Sequence, residues 1–126
     1  MNKKCIILPL MMFAVSAEAG ERLEGNALKE FWEEKTIVGV HHKHGSIKTY
    51  HGADGTAHSV AERGKVRKGK WWIDEASNKK CIEWSHNKKR RCHYTESNGD
   101  GTYTLIHGKN GKRLVEISAV LDGNQL

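Results

Sequence analysis

The chain has 126 residues, a formal net charge of +6 and 37% hydrophobic residues. Its length is typical of one domain, and its composition excludes a protein built of many membrane spans. The apolar content is too high to indicate intrinsic disorder.

Residues 1–19 have the pattern of a secretory signal peptide. Lys3 and Lys4 precede an apolar stretch, and Ala17-Glu18-Ala19 has the small residues of a cleavage site. A cut after Ala17 is the alternative. The apolar stretch is shorter than the ~20 residues that span a bilayer, which disfavours a membrane anchor. We therefore expect a secreted or periplasmic protein with one domain over residues 20–126.

The predicted cleavage removes Cys5 and leaves Cys81 and Cys92 as the remaining cysteines. An even number of cysteines in an oxidising compartment predicts a disulfide between them, with free or metal-bound thiols as the alternative. If the two lie opposite each other in an antiparallel pair, Glu83 faces Arg90, which is a favourable pairing of opposite charges.

The same register places Ile82 and Trp84 on one face of the hairpin and its tip at His86-Asn87. The sequence leaves open which face points inward. Either the cysteines lie in the core, or Trp84 does, with the stems of Lys and Arg side chains packed over it.

One helix is predicted over residues 24–34, with Asn26 as its N-cap. Its apolar face is formed by Ala27, Leu28, Phe31 and Trp32. After residue 36, short β-prone runs alternate with glycine-bearing turns, of which Asp54-Gly55 is a strong hairpin signal. The runs cover residues 36–40, 46–51, 56–62, 69–73, 81–84, 90–95, 102–106 and 114–118.

About eight short strands joined by tight turns indicate an all-β, mainly antiparallel fold. A small meander barrel with one N-terminal helix is expected because closure removes the exposed edge strands, and a strongly bent open sheet is the alternative. We expect aromatic side chains to fill its interior, which otherwise has room for one small ligand. These aromatics are Trp71, Trp72, Trp84, Tyr50 and Tyr103.

Several short pieces occur in a characteristic order along the chain. They are Leu23-Glu24-Gly25, Thr36-Ile37-Val38-Gly39, Tyr50, Asp54-Gly55-Thr56, Gly69-Lys70-Trp71 with Ile73, Cys81, Cys92 and Gly123-Asn124. In this order the chain resembles an uncharacterised family of small secreted or periplasmic bacterial proteins with a lipocalin-like β-barrel. The resemblance implies a signal peptide and a disulfide-bearing barrel, and it implies no catalytic residues. The chain departs from the family pattern in its basic charge and its histidine content.

Three histidines, His41, His42 and His44, lie within four residues of each other. In an extended strand His42 and His44 share a face, and His51 or His58 on a neighbouring strand can add a third nitrogen. Imidazole ligands suit Zn²⁺, Cu²⁺ and Ni²⁺, so His42, His44 and His51 form a candidate metal site. The alternative is a set of solvated histidines near a turn. We expect no other cofactor.

A basic hairpin is the second candidate site. Four consecutive cations beside tryptophans can hold an anionic ligand electrostatically. We expect the partner to be an envelope protein or an anionic polymer rather than a nucleic acid, because of the compartment. The alternative is a solvated basic surface. The residues of this candidate are Lys88, Lys89, Arg90, Arg91, Trp84 and Trp72.

The sequence holds no GxSxG, no glycine-rich phosphate loop and no HExxH motif, and we therefore expect no enzymatic activity. The expected function is noncatalytic: recognition of a protein partner or an anionic envelope ligand through the basic hairpin. A histidine-based metal-binding protein and an inhibitor of a secreted enzyme are the alternatives.

Overall fold

The structure is a computed structural model that describes residues 17–62 and 65–126. Residues 1–16 of the predicted signal peptide lie outside this range, so the signal peptide stays a prediction. Within the described residues, no helix combines the length and apolar character needed to cross a membrane. The elements are α1 (Gly25–Trp32), β1 (Lys35–His41), β2 (Gly45–His51), β3 (Thr56–Ala61), β4 (Val66–Asp74), β5 (Lys79–Trp84), β6 (Arg90–Ser97), β7 (Tyr103–His107) and β8 (Arg113–Asp122).

The eight strands form one closed barrel in sequence order, and every neighbouring pair is antiparallel. This confirms the predicted all-β class and the barrel, and it excludes the open bent sheet. Closure by the pairing of β8 with β1 gives each strand a partner on both sides, which satisfies the backbone of the ladder. The strand predicted over residues 69–73 is longer than expected, because β4 begins at Val66.

In an up-and-down barrel, alternate turns lie at opposite ends. The turns β1–β2, β3–β4, β5–β6 and β7–β8 surround one end, which is open. The other three turns lie beside α1 at the closed end. Two of those three share a local design, because Asp54 and Asp100 each accept hydrogen bonds from the backbone and hydroxyl of a threonine two residues later. Aspartate favours tight turns by this bonding.

The helix closes one end of the barrel. It begins later than predicted, and Asn26 lies inside it rather than at the N-cap. The Gly25 N–H instead donates to Oδ1 of Asn78 in the β4–β5 turn, at 2.9 Å. Leu28 and Trp32 are fully buried on the face turned to the barrel. The Trp32 indole N–H donates to the Thr95 hydroxyl at 3.0 Å, which fixes the ring across the barrel floor.

The hairpin of β5 and β6 has the predicted register. Cys81 pairs with Cys92 and forms the disulfide, and Glu83 pairs with Arg90. The sequence left open which face of this hairpin points inward, and in the structure Ile82 and Trp84 line the barrel interior. The disulfide therefore lies on the outer face, because successive residues of a strand point to opposite sides.

Replacing Cys81 and Cys92 by serine should lower the free energy of unfolding by about 3 kcal/mol, because the disulfide closes a short loop in the unfolded chain. Chemical denaturation of the oxidised protein and of the double variant measures this difference. An unchanged midpoint would contradict a stabilising role for the bond.

Candidate functional site

The barrel encloses a cavity of about 550 Å³ between the helix floor and the open end. The expectation that aromatic side chains fill the interior is therefore wrong. Only Trp71 and Trp84 of the five predicted aromatics line the interior, since Trp71 and Trp72 are adjacent and must point to opposite faces. Trp72 is 36% exposed, Tyr50 alternates outward, and Tyr103 packs 4.7 Å from Phe31 at the closed end.

Two rings, those of Trp32 and His51, line the floor of the cavity, and the Trp71 ring packs against His51. The His51 ring lies 4.8 Å from the Trp32 ring and 5.4 Å from the Trp71 ring, both edge to face. The Trp71 indole N–H donates to the Gly52 carbonyl at 2.8 Å, so this ring is also held in place. Aromatic pairs of this geometry add about 1 kcal/mol each beyond the area that they bury, which makes the floor rigid.

Lys80 is the most unusual residue of the cavity wall. Its side chain is inside the barrel, the residue is 4% exposed, and Nζ lies 4.4 Å from the centre of the Trp32 ring. Within the described residues it forms no ion pair and no side-chain hydrogen bond. Burial lowers the pKa of Lys80 from 10.5 to about 7, because the charged amine loses its water without gaining a carboxylate.

Two buried histidines flank Lys80. His93 lies opposite it on β6, and burial together with the Lys80 charge lowers the pKa of His93 to about 3. Burial and Lys80 also hold the pKa of His51 well below its usual range, against a smaller opposing effect from backbone groups of Lys35 and Thr49. Both rings are thus neutral at neutral pH. Nδ1 of His93 and both ring nitrogens of His51 have no well-aligned hydrogen-bond partner in the described chain.

The upper wall combines apolar side chains with further cations. Arg67 and Arg91 line it near the open end, and the buried Nε of Arg67 has no hydrogen-bond partner among the described residues. The Trp84 ring packs over Gly69, where an added Cβ would lie 3.1 Å from the ring. The aliphatic part of the wall consists of Ile37, Ile47, Ala61, Ile82, Leu105, Leu114, Val115 and Ile117.

All ionisable residues that line the described cavity are basic or histidine; none is aspartate or glutamate. The charge of the surrounding turns has the same sign. Among the described residues, the four turns at the open end contain one acid, Glu62, against several lysines. These lysines are Lys43, Lys65, Lys88, Lys89, Lys109 and Lys112.

The three turns at the closed end have the opposite charge. Each contains one acidic residue, and none contains a lysine or arginine: Asp54, Glu75 and Asp100. The barrel is therefore electrically polarised along its axis, with a cationic open end and an acidic closed end. Such a field attracts anions to the mouth of the cavity.

The structure divides the predicted basic hairpin site among three places. Trp84 and Arg91 line the cavity, while Lys88 and Lys89 lie in the turn at its mouth. Arg90 points outward, donates to Glu83 at 2.9 Å and lies 5.8 Å from the Trp72 ring. The six residues do not form one surface, because the pleat alternates them between the two faces of the barrel.

The predicted metal ligands are not brought together. His51 pairs with Lys35 at the closed end of β1, whereas His42 and His44 lie in the turn at the open end. His41, His42 and His44 do cluster, with ring centres 4.5 and 4.9 Å from that of His41. However, Nδ1 of His41 accepts the backbone N–H groups of Lys43 and His44. In the part of the chain that the structure describes, no group of three His, Cys, Asp or Glu residues could hold a metal ion.

The site residues predicted from the sequence did not include Lys80, His93 and Arg67. A signal for two of them was present in the Cys81–Cys92 register. Once Trp84 is assigned to the inside, the alternation of β5 places Lys80 inside as well, and His93 is its cross-strand partner. A lysine on the same face as Ile82 and Trp84 is the observation that marks the site.

No family model matches the chain, and no match was found among curated proteins or among solved structures.

Lowering the pH should destabilise the protein through His93. Below pH 6.5 the unfolded chain binds a proton that the folded ring binds only near pH 3, so the free energy of unfolding falls as the pH falls between these values. The slope for one such group approaches about 1.4 kcal/mol per pH unit. Denaturant titrations at several pH values measure it.

The variant His93→Gln should lower the slope by up to about 1.4 kcal/mol per pH unit, which is the share of one group, because the buried ring of His51 keeps its own contribution. His58→Gln should leave the slope unchanged, because His58 is on the outer face of β3. Equal slopes in the two variants would show that His93 is not the buried neutral group.

Proposed function

We propose that the protein is a noncatalytic binding protein that takes an amphipathic anionic small molecule into the barrel. The observation that carries the proposal is the buried amine of Lys80, which borders the cavity without a carboxylate partner. Location outside the cytoplasm is part of the proposal and is supported by the signal-peptide pattern and by the disulfide.

An anionic group supplies the interaction that Lys80 lacks. A buried, unpaired ammonium is unfavourable by several kcal/mol, and the contact with Trp32 offsets about 2 kcal/mol of this. A carboxylate beside Nζ would favour the protonated amine and form a charge-assisted hydrogen bond. His51 and His93 line the same cavity, and a ring N–H of either can donate to the second oxygen.

The rest of the cavity suits an apolar chain. Isoleucine, leucine and valine side chains form most of the wall above Lys80, and the volume lies within the usual range of small-molecule sites, about 300–1,000 Å³. A ligand with its acid group at the floor would pair with Lys80, and its apolar body would pack along this wall. This combination favours a fatty-acid-like ligand over a small inorganic anion.

The cations at the open end have a separate role in this proposal. The lysines of the four turns raise the local concentration of anions at the mouth, which increases the rate of association more than the final affinity. Arg91 and Trp84 then lie on the path between the mouth and the floor. An anionic polymer would contact the same turns but would not reach Lys80. Dependence of binding on Lys80 therefore distinguishes a small-molecule ligand from a polymer.

Decanoate, a straight-chain carboxylate, should bind the oxidised protein and raise its melting temperature, while decanol and decyltrimethylammonium should do so weakly or not at all. The charge requirement follows from the absence of acidic residues along the described cavity wall. Calorimetric titration measures the affinity, and thermal denaturation provides a second readout because a ligand of the folded state stabilises it.

The variant Lys80→Met should weaken decanoate binding about tenfold or more, since a charge-assisted contact in a dry site is worth at least ~1.5 kcal/mol. It should also stabilise the ligand-free protein by removing the unpaired amine. Lys79→Met is the matched control, because Lys79 lies next to Lys80 on the outer face of β5, 5.1 Å from the Tyr94 ring. Equal decanoate affinity in both variants, or tighter binding of the cationic amphiphile, would overturn the proposal.

A further inference from the structure

Lys80 has the surroundings of a reactive amine as well as those of an anion-binding group. Its side chain borders the cavity on one side and the Trp32 ring on the other, at 4.4 Å. The described chain offers it no hydrogen bond and no ion pair that would occupy the nitrogen lone pair or hold a proton. A buried lysine is a nucleophile when it is neutral.

Among the described residues that line the cavity none is acidic, so the contact with the Trp32 ring is the one that favours the charged amine, and burial opposes it. His51 and His93 are buried beside it, both are basic side chains, and neither provides a negative charge. Burial lowers the pKa of Lys80 to about 7, so a substantial fraction of this amine is neutral at neutral pH. A solvent-exposed lysine is almost entirely protonated under the same conditions.

We propose that Lys80 forms a reversible imine with an apolar aldehyde that enters the barrel. This proposal rests on the proposed function, since the aldehyde and the anionic ligand would enter the same cavity. The aldehyde differs in chemistry from the carboxylate: it carries no charge to pair with an ammonium, and it reacts only with the neutral amine.

The reaction balances without an oxidant or a reductant. The lone pair of Nζ attacks the carbonyl carbon and forms the C–N bond, and a proton moves from nitrogen to the carbonyl oxygen to give a carbinolamine. The C–O bond then breaks, the hydroxyl group takes the remaining N–H proton and leaves as water, and the nitrogen lone pair forms the C=N bond of the imine. His51 and His93 line the same cavity as Lys80, and an imidazole nitrogen of either can hydrogen-bond the hydroxyl group before it leaves.

The probe for this reaction is decanal with sodium cyanoborohydride, which converts an imine into a stable secondary amine. The oxidised, folded protein is treated at near-neutral pH, then reduced, unfolded and cleaved after glutamate. Cleavage after Glu75 and Glu83 places Lys79 and Lys80 in one peptide. Fragmentation of that peptide by mass spectrometry gives the labelling rate at each lysine, so that Lys79 serves as an internal control.

We expect Lys80 to be labelled at least about tenfold faster than Lys79, because it has the larger neutral fraction and a site for the alkyl chain. Excess decanoate should slow labelling at Lys80 and leave Lys79 unchanged. The fast reaction should disappear in Lys80→Met and persist in Lys79→Met, with circular dichroism confirming that both variants are folded. Similar rates at Lys79 and Lys80 in the folded protein would overturn the imine proposal.

The two proposals fail in different ways. Decanoate binding that depends on Lys80, without fast labelling by decanal, overturns the imine and leaves the anion site. Fast labelling of Lys80 without measurable decanoate binding supports the imine and overturns the anion site.

Discussion

The position of one amine on the floor of the barrel determines what the cavity can hold. Helix α1 closes one end of the barrel with Trp32, whose ring is fixed by its hydrogen bond to Thr95. Lys80 lies against this ring with no carboxylate near it among the described residues. Because an unpaired charge is costly in a buried site, burial lowers the pKa of the amine, and the anionic ligand that we propose would reverse that change.

The remaining features of the molecule agree with a site of this kind. The walls are apolar above Lys80, the ionisable lining is basic or histidine, and the turns at the open end are cationic while those at the closed end are acidic. A solvated basic surface that serves only solubility would not require a lysine at 4% exposure or histidines without hydrogen-bond partners. Positively charged side chains occur from the rim to the floor of the cavity, which supports the single binding path that we propose.

The sequence predicted the local structure well and the interior poorly. Turn residues, the Cys81–Cys92 register and the eight strand segments were readable because they depend on neighbours in the chain or across one hairpin. The inward face of the strands could not be read from the sequence, because inward positions of this barrel include polar residues such as Thr49, Ser59 and His93. The usual alternation of apolar and polar residues is therefore absent. The cavity depends on the closure of all eight strands and on α1, which no single segment reveals.

The most direct test of the anion site is a measurement of the pKa of Lys80 in the free protein and in the protein with bound decanoate. Nuclear magnetic resonance of lysine side chains, assigned with Lys80→Met, gives the pKa of this amine with and without decanoate. We predict a pKa near 7 in the free protein and a clear rise toward 10.5 when decanoate is bound, because the carboxylate favours the charged amine. An amine that titrates near 10.5 in the free protein, or one whose pKa decanoate leaves unchanged, would contradict an anion site at Lys80.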